Sequence, residues 1–167
     1  MMKYCSSCGN LLEVKCLDGI NEYYCSICNN TYYDHFNVAV SMIVKYDELY
    51  LLIKQYNKDR YILVAGYTNK GETLEDTVKR ELKEETGLTC KHIRYNMSKY
   101  YEKSNTLMVN YIVDANEFKV IPNLEIDSFS WFTKENVLKN IAPNSLAREF
   151  YLNYLRGEKN NEIKWCC

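Results

Sequence analysis

The sequence of 167 residues predicts an α/β or α+β domain preceded by a small metal-binding unit. Strand-like and helix-like runs mix along most of the chain, one helical run carries a cluster of glutamates, and two CxxC pairs open the sequence. Hydrophobic residues make up 47% of the chain and charged residues 26%, which suits a packed core and argues against disorder. We expect a zinc ribbon at 1–34, the main domain at 35–160 and a C-terminal tail at 161–167.

Charge and hydropathy exclude several classes of protein. The formal net charge of −1 predicts no general attraction to nucleic acid or anionic lipid. No apolar run approaches the roughly 20 residues of a membrane span, and the first five residues lack the apolar stretch of a signal peptide. We therefore expect a cytoplasmic protein, a compartment in which paired cysteines hold metal more often than they form disulfides.

The cysteines near the N-terminus follow the pattern CxxC-x16-CxxC, formed by Cys5, Cys8, Cys25 and Cys28. Four thiolates at this spacing predict a bound Zn²⁺, and since no ligand position is open for water the ion is expected to be structural. Two lysines against four acidic residues in 1–35 argue against nucleic-acid binding by this segment. The other cysteines follow no paired spacing and receive no role: Cys16, Cys90, Cys166 and Cys167.

The main domain is predicted from the period of its apolar residues. Strand-like runs cover 36–45, 49–55 and 61–64, a polar loop covers 65–72, and a helix covers 73–86. Thr73 with Asp76 resembles a capping box at the start of that helix, and Gly87 suits the left-handed position after its end. Further strands are predicted at 93–101, 106–114 and 129–133, with helices near 135–139 and 146–156.

The helix at 73–86 places carboxylates where apolar side chains are expected. At 100° per residue, the buried stripe consists of Leu74, Val78 and Leu82. Glu81 and Glu85 fall within or beside that stripe, with Glu84 next to it. A solvated acidic helix end explains this arrangement badly, because burying unpaired carboxylates costs roughly several kcal/mol. Arg80 is expected to reach one of the three and not to neutralise them all, so the pattern predicts a Mg²⁺ or Mn²⁺ site.

The stretch from residue 66 to residue 88 resembles the Nudix box, Gly-x5-Glu-x7-Arg-Glu-aliphatic-x-Glu-Glu-x-Gly-aliphatic. Every specified position matches, namely Gly66, Glu72, Arg80, Glu81, Leu82, Glu84, Glu85, Gly87 and Leu88. The resemblance implies an α/β/α sandwich around a mixed sheet and metal-dependent hydrolysis of a diphosphate linkage. It also implies that Glu81, Glu84 and Glu85 bind the metal and that Glu72 and Arg80 brace the helix and loop.

A four-cysteine ribbon before such a domain is similar to the NADH/NAD pyrophosphatase branch of the family. That branch has a second motif, of which Ser98, Leu107, Met108 and an aromatic at Tyr101 remain here, while its glutamine and three prolines are absent. The resemblance implies hydrolysis of NADH or NAD⁺ to AMP and nicotinamide mononucleotide, and a homodimer. The alternatives are ADP-ribose, another nucleoside diphosphate derivative or the end of an NAD-capped RNA. A nucleotide-sensing module without hydrolysis is a third possibility.

The same resemblance implies further site residues. Glu125, six residues before Trp131, matches an additional metal-binding glutamate, with Asp127 as the alternative acid. Glu84, Glu85 and Glu125 are each candidates for the general base. The positions expected to contact substrate are Tyr33, Ala65, Gly66, Tyr67, Lys99, Tyr101, Thr106 and Ala147. The alternative for Tyr33 and Tyr67 is ordinary aromatic packing.

Overall fold

A computed structural model describes the backbone of residues 4–163 and the side chains of residues 4–158. The chain divides into two compact units, Met1–Phe36 and Asn37–Cys167. This division falls close to residue 34, and the boundaries of 1–34, 35–160 and 161–167 stay a prediction. Cys166 and Cys167, for which the sequence suggested no role, lie outside the described residues.

The first unit is a three-stranded antiparallel sheet made of β1 (Glu13–Leu17), β2 (Ile20–Cys25) and β3 (Asn30–Tyr32). Asp18 and Gly19 both have positive φ, as a two-residue hairpin turn between β1 and β2 requires. Its buried residues are Cys5, Leu12 and Cys25, with Tyr23 and Tyr32 packed against them. A core with one aliphatic side chain is too small to hold a sheet by itself, so this unit needs another source of stability.

The second unit contains a six-stranded mixed sheet. Its strands are β4 (Asn37–Tyr46), β5 (Leu49–Gln55), β6 (Val64–Tyr67), β7 (Cys90–Tyr101), β8 (Thr106–Ala115) and β9 (Ile126–Thr133). The order is β7-β8-β4-β5-β9, with β6 also paired to β4. The pair β4–β8 is parallel and the other pairs are antiparallel. Strand β4 therefore lies in the centre, and six consecutive residues of it are buried.

Helices cover both faces of this sheet: α1 (Leu74–Thr86) on one, α2 (Lys134–Asn140) and α3 (Leu146–Ile163) on the other. Because successive side chains of a strand point to opposite faces, β4 contributes side chains to the apolar cores on both faces of the sheet. Val40 and Met42 pack in the core that contains Val78 of α1, whereas Ile43 packs in the core that contains Phe150 of α3. The predicted α/β/α sandwich around a mixed sheet is confirmed. Among the described residues, no helix is long and apolar enough to cross a membrane.

Most predicted elements are present, with differences at their ends. The strand predicted at 61–64 is wrong, since Tyr61 and Ile62 form only isolated bridges. The loop predicted at 65–72 is wrong in its first part, because residues 65–67 belong to β6. The small residues Ala65 and Gly66 concealed this strand, as they show no apolar alternation. At the C-terminus α3 reaches Ile163, so residues 161–163 of the predicted tail are helical.

Candidate functional site

Helix α1 begins and ends where its sequence predicts. Thr73 is the N-cap, and its Oγ1 accepts a hydrogen bond of 3.1 Å from the Asp76 backbone N–H. Gly87 has a φ of 73°, and its N–H donates to the Lys83 carbonyl at 3.0 Å. The last turns of the helix therefore carry the three glutamates in a fixed rotational setting.

The burial of the glutamates follows the helical projection. Val78 and Leu82 are fully buried, and Glu85 is buried with them at 4% exposure. The side chain of Glu81 is 13% exposed, and that of Glu84 is 57% exposed. The interpretation of a carboxylate on the apolar face is thus confirmed for Glu85.

Arg80 is the centre of an ion-pair network. Its Nε and Nη2 donate to the two oxygens of Glu72 at 2.6 and 3.0 Å, and its Nη2 also donates to the Tyr67 carbonyl at 2.9 Å. Its Nη1 donates to Glu81 at 2.7 Å and to Glu84 at 3.0 Å. The expectation that Arg80 reaches one of the three glutamates is therefore wrong. The planar guanidinium has five N–H donors, so it holds Glu72 on one edge and two helix carboxylates on another.

Glu72 connects the loop before α1 to the helix. Besides Arg80, it accepts hydrogen bonds from the Asn69 N–H and the Thr77 hydroxyl, each 3.0 Å long. The hydrogen bond from Arg80, followed by that from Asn69, lowers the pKa of the Glu72 carboxyl to about 2. Glu72 is consequently an anion fixed between loop and helix.

Glu85 lacks the ion pair and the several hydrogen bonds that stabilise the Glu72 carboxylate. Its Oε1 accepts one hydrogen bond of 3.2 Å from the Gln55 amide, and its buried Oε2 has no partner among the described residues. Burial raises the pKa of the Glu85 carboxyl to about 8, and repulsion from Glu81 and Glu125 adds to this against the effect of Gln55. A buried, unpartnered carboxylate oxygen is costly unless a cation meets it. Oxygen donors of this kind fit Mg²⁺ or Mn²⁺.

The three glutamates in the last turns of α1 and part of the predicted substrate positions meet at one pocket of about 470 Å³. Eight of its lining residues were expected from the sequence: Ala65, Gly66, Tyr67, Arg80, Glu81, Glu84, Glu85 and Glu125. Gly66 is required there, because a Cβ at this position would lie 1.9 Å from Cδ of Glu81. Lack of a side chain at Gly66 thus allows the Glu81 carboxylate to pack directly on β6.

Glu125 reaches the pocket through a loop bound to the end of α1. The Asn123 N–H donates to the Glu85 carbonyl at 3.0 Å, and the Ile121 N–H donates to the Thr86 carbonyl at 2.8 Å. The Glu125 N–H in turn donates to the Asn123 side chain at 2.9 Å. The alternative acid, Asp127, instead accepts the Asn57 N–H at 2.6 Å. The arrangement therefore favours Glu125 over Asp127 as the fourth acidic group.

Lys99 and Tyr101 line a second cavity, of about 540 Å³. There Lys99 Nζ contacts both carboxylate oxygens of Glu149, at 2.7 and 2.6 Å. Cross-strand pairing puts Lys99, Met108, Ala39 and Tyr67 in one row. Three strand spacings separate Lys99 from Tyr67 by about 14 Å on one face of the sheet. Five of the predicted substrate positions of the main domain are thus divided between two cavities.

Three other predicted substrate positions lie elsewhere. Thr106 is 1% exposed, and its hydroxyl donates to the Ser104 carbonyl at 2.9 Å, so it offers no free group to a ligand. Ala147, in the first turn of α3, packs against the apolar core beneath that helix. Tyr33 belongs to the first unit, directly after β3, where it is exposed.

The four cysteines of the first unit form a compact cluster, with all sulfurs within 4.8 Å of one another. Two of the sulfur pairs, Cys5–Cys28 and Cys8–Cys25, are 3.8 and 3.6 Å apart. A tetrahedron with Zn–S bonds of about 2.3 Å has sulfurs about 3.8 Å apart, so this donor set fits zinc. In the part of the chain that the structure describes, Cys16 is exposed on β1 and Cys90 is half-buried at the start of β7.

The opposite pKa shifts of two of these thiols also fit a cation bound among them. The hydrogen bond from the Tyr32 hydroxyl, at 2.9 Å, leads the effects that lower the pKa of Cys5 to about 5. Hydrogen bonding with Cys8 and then Cys5 raises the pKa of Cys28 to about 12. Without a positive charge among them, four thiolates cannot all form at this spacing.

The sequence did not predict a site role for four residues that line the first pocket, Ala39, Tyr56, Asn69 and Met108, or for one that supports it, Gln55. A signal existed for Gln55, because it follows Leu51 and Ile53 at the strand period and so puts an amide on the apolar face toward α1. No comparable pattern marked Tyr56, which lies in a turn.

Comparison with known proteins agrees with this geometry. The family model described as NUDIX domain matches residues 35–154. The NAD-capped RNA hydrolase NudC of Photobacterium profundum is 30% identical over 142 residues, covering 84% of this chain and 53% of that protein. The human NAD-capped RNA hydrolase NUDT12 is 29% identical over 148 residues, covering 81% and 32%.

Among solved structures, a NUDIX hydrolase from Nitrosomonas europaea superposes with a TM-score of 0.75 at 20% identity, covering 96% of this chain and 93% of that one. At that identity the likeness shows the fold alone. The chain spans about half the length of the Photobacterium relative, with 53% covered. Because the family model matches most of the chain, the chain belongs to the Nudix family.

Proposed function

We propose that this chain hydrolyses the diphosphate linkage of a small nucleotide derivative, with NADH or NAD⁺ as substrate and AMP and nicotinamide mononucleotide as products. The observation that carries the proposal is the state of Glu85, a buried carboxylate with one oxygen unpartnered, in a pocket that Glu81, Glu84 and Glu125 also line. A structural helix has no use for such a group, whereas a metal-dependent phosphate enzyme does.

The four glutamates Glu81, Glu84, Glu85 and Glu125 would hold Mg²⁺ or Mn²⁺, which prefer oxygen ligands. When bound, the cation neutralises charge on the diphosphate oxygens and makes water more acidic. The Arg80 guanidinium keeps Glu81 and Glu84 oriented, and through Glu72 it fixes the loop at the mouth of the pocket. A carboxylate must accept the proton of the attacking water, and Glu84, Glu85 and Glu125 are each candidates.

In the first unit, Cys5, Cys8, Cys25 and Cys28 would bind a structural Zn²⁺. The sulfur spacing and the small core of this unit support that role. The Tyr32 hydroxyl and the Ser7 and Cys8 backbone N–H groups, which contact the Cys5 sulfur, would orient and stabilise that thiolate.

A second candidate substrate is the end of an NAD-capped RNA. The relatives from Photobacterium and human are named NAD-capped RNA hydrolases. In this chain, a second cavity is lined by Lys99, which lies about 14 Å from Tyr67 on the same face of the sheet. Its lining includes Tyr101, which suits a stacked base, and three basic side chains that suit a phosphate, namely Lys99, Lys103 and Arg148.

The test is a product assay over NADH, NAD⁺, ADP-ribose and a short NAD-capped RNA, with Mg²⁺ and with Mn²⁺. Mass spectrometry of reactions in ¹⁸O-labelled water identifies the products and the phosphorus attacked. We expect AMP and nicotinamide mononucleotide from NADH, and a loss of at least about 100-fold in kcat for Glu85→Gln.

Glu75→Gln is the matched control, since Glu75 is an exposed glutamate of the same helix that does not line the pocket. No turnover of any diphosphate by the wild-type chain would overturn the proposal. Tight nucleotide binding in that case would leave the chain as a non-hydrolysing sensor.

A further inference from the structure

Strand β5 ends in a two-residue turn that contains Tyr56 and Asn57. These residues have φ values of 59° and 54°, and the Lys58 N–H donates to the Gln55 carbonyl at 3.2 Å. Two successive left-handed residues inside such a hydrogen bond form a type I′ turn, which favours asparagine and glycine. Asn57 suits its position, whereas the tyrosine at 56 adopts a conformation that L-residues with large side chains avoid.

Packing of the Tyr56 ring does not explain this conformation. The side chain is 67% exposed. Among the described residues, the ring contact of Tyr56 is with Lys58, whose Nζ lies 5.7 Å from the ring centroid. The turn is instead held through its backbone, since the Asn57 N–H donates to Asp127 at 2.6 Å. The tyrosine side chain therefore has no evident role in stabilising the turn.

The location of Tyr56 supplies a reason for its presence. It lines the same pocket as Glu81, Glu84, Glu85 and Glu125, and it directly follows Gln55, whose amide contacts Glu85. Tyr67, also exposed, lines that pocket from β6. Exposed aromatic rings beside a cluster of metal-binding groups match a ligand that joins a flat ring to a diphosphate.

We propose that Tyr56 binds the ring of the nucleotide substrate by stacking, and so contributes to the selection of base-bearing diphosphates; this rests on the proposed function. Lys58 beside the ring provides a positive charge for a phosphate of the same ligand. The left-handed backbone of the turn sets the direction in which the ring is presented. A residue kept in a strained conformation in a pocket, with its side chain 67% exposed, is expected where the ligand itself makes the contact.

The test uses two variants that separate the ring from the backbone. Tyr56→Asn removes the ring with a residue that tolerates the left-handed region, and Tyr56→Phe retains the ring. The ligands are α,β-methylene-ADP, which has a base and a non-hydrolysable diphosphate, and methylenediphosphonate, which has no base. Calorimetry in the presence of Mg²⁺ gives each Kd for the full chain.

We expect Tyr56→Asn to weaken α,β-methylene-ADP about five- to tenfold, as loss of one stacking contact predicts, and to leave methylenediphosphonate unchanged. Tyr56→Phe should stay within about twofold of the wild type for both ligands. An unchanged Kd for α,β-methylene-ADP in Tyr56→Asn, or equal losses for the two ligands, would overturn the proposal.

Two readouts keep this result distinct from others. Because the ligands are not hydrolysed, ring-dependent binding without any turnover of NADH would contradict the proposed function and retain the assignment of Tyr56. Turnover of NADH with an unchanged Kd for α,β-methylene-ADP in Tyr56→Asn would support the proposed function and contradict the assignment of Tyr56. The melting temperature of Tyr56→Asn should equal or exceed that of the wild type, and a decrease of several degrees would assign the ring to packing and refute its role in binding.

Discussion

Substitution of Glu85 by glutamine should stabilise the protein that lacks Mg²⁺ and Mn²⁺, and by an amount that depends on pH. The buried carboxyl of Glu85 has a pKa of about 8, against an ordinary value of 4.5. Between these values the folded chain holds a proton that the unfolded chain has lost. The contribution of this group to stability is therefore fully present below pH 4.5 and is lost as pH rises through 8. Glutamine does not titrate, so the variant lacks this loss.

The size of the effect follows from the shift. Each pH unit between the two pKa values corresponds to about 1.4 kcal/mol, so the variant should gain on the order of 3 kcal/mol over the wild type at pH 7 and on the order of 5 above pH 8. Solvent screening is small here, because Glu85 is only 4% exposed. The amide and the protonated carboxyl differ in their hydrogen bonds by about 1 kcal/mol, but that difference is the same at every pH.

Urea unfolding at pH 5 and pH 8 measures the effect, with the ribbon intact and Glu75→Gln as the control. Glu75 is exposed in the first turn of α1, so its substitution should change the free energy of unfolding by less than about 1 kcal/mol at both pH values. Addition of Mg²⁺ at 100 times its Kd should then stabilise the wild type by about 2.7 kcal/mol and leave Glu85→Gln unaffected. A gain for Glu85→Gln that is the same at both pH values would refute the reasoning, since burial of an ionisable group would not be its source.

The zinc cluster, Gly66 and the segment 99–104 can each be tested separately. Removal of zinc should increase hydrogen exchange in residues 1–36 before the second unit is affected, because the first unit has a very small core. Metal analysis that finds no zinc, or zinc away from the four cysteines, would contradict this prediction. Gly66→Ala should reduce kcat at least about tenfold while the chain stays folded, since a Cβ would displace Glu81, and an unchanged kcat would show that this carboxylate is not needed. The segment 99–104 lacks proline, so we expect weak discrimination between NADH and ADP-ribose in kcat/KM. Tyr101→Ala should raise KM most for NADH, the substrate with two rings. An equal rise in KM for both substrates would show that Tyr101 does not contact the second ring.

Local signals made α1 predictable. Thr73 and Gly87 fix its ends through contacts within five residues, and the helical projection then determines that Glu85 is buried and Glu84 is exposed. The same sequence-local reasoning underestimated Arg80. Its Nη1 contacts both Glu81 and Glu84, and helical projection does not show how many partners one guanidinium with several N–H donors reaches.

The remaining parts of the site depend on sheet order. Gln55 meets Glu85 only because β5 and α1 pack on the same core, although 30 residues separate them along the chain. Likewise the distance between Tyr67 and Lys99 depends on the row β6-β4-β8-β7, and a single sequence does not reveal which strands are neighbours. Tyr56 was not predicted for a related reason, because its turn can be assigned a function only once the adjacent pocket is known.

The distribution of charge in α1 is itself an argument for a cation. Arg80 is bound to Glu72, Glu81 and Glu84, so all the positive charge supplied by that side chain is directed away from the most buried carboxylate. A glutamine at position 85 would keep the contact with Gln55 and remove the energetic cost of burying a carboxylate. A group that lowers the stability of the metal-free fold, beside an arginine that does not pair with it, is consistent with a site built to be completed by a divalent ion.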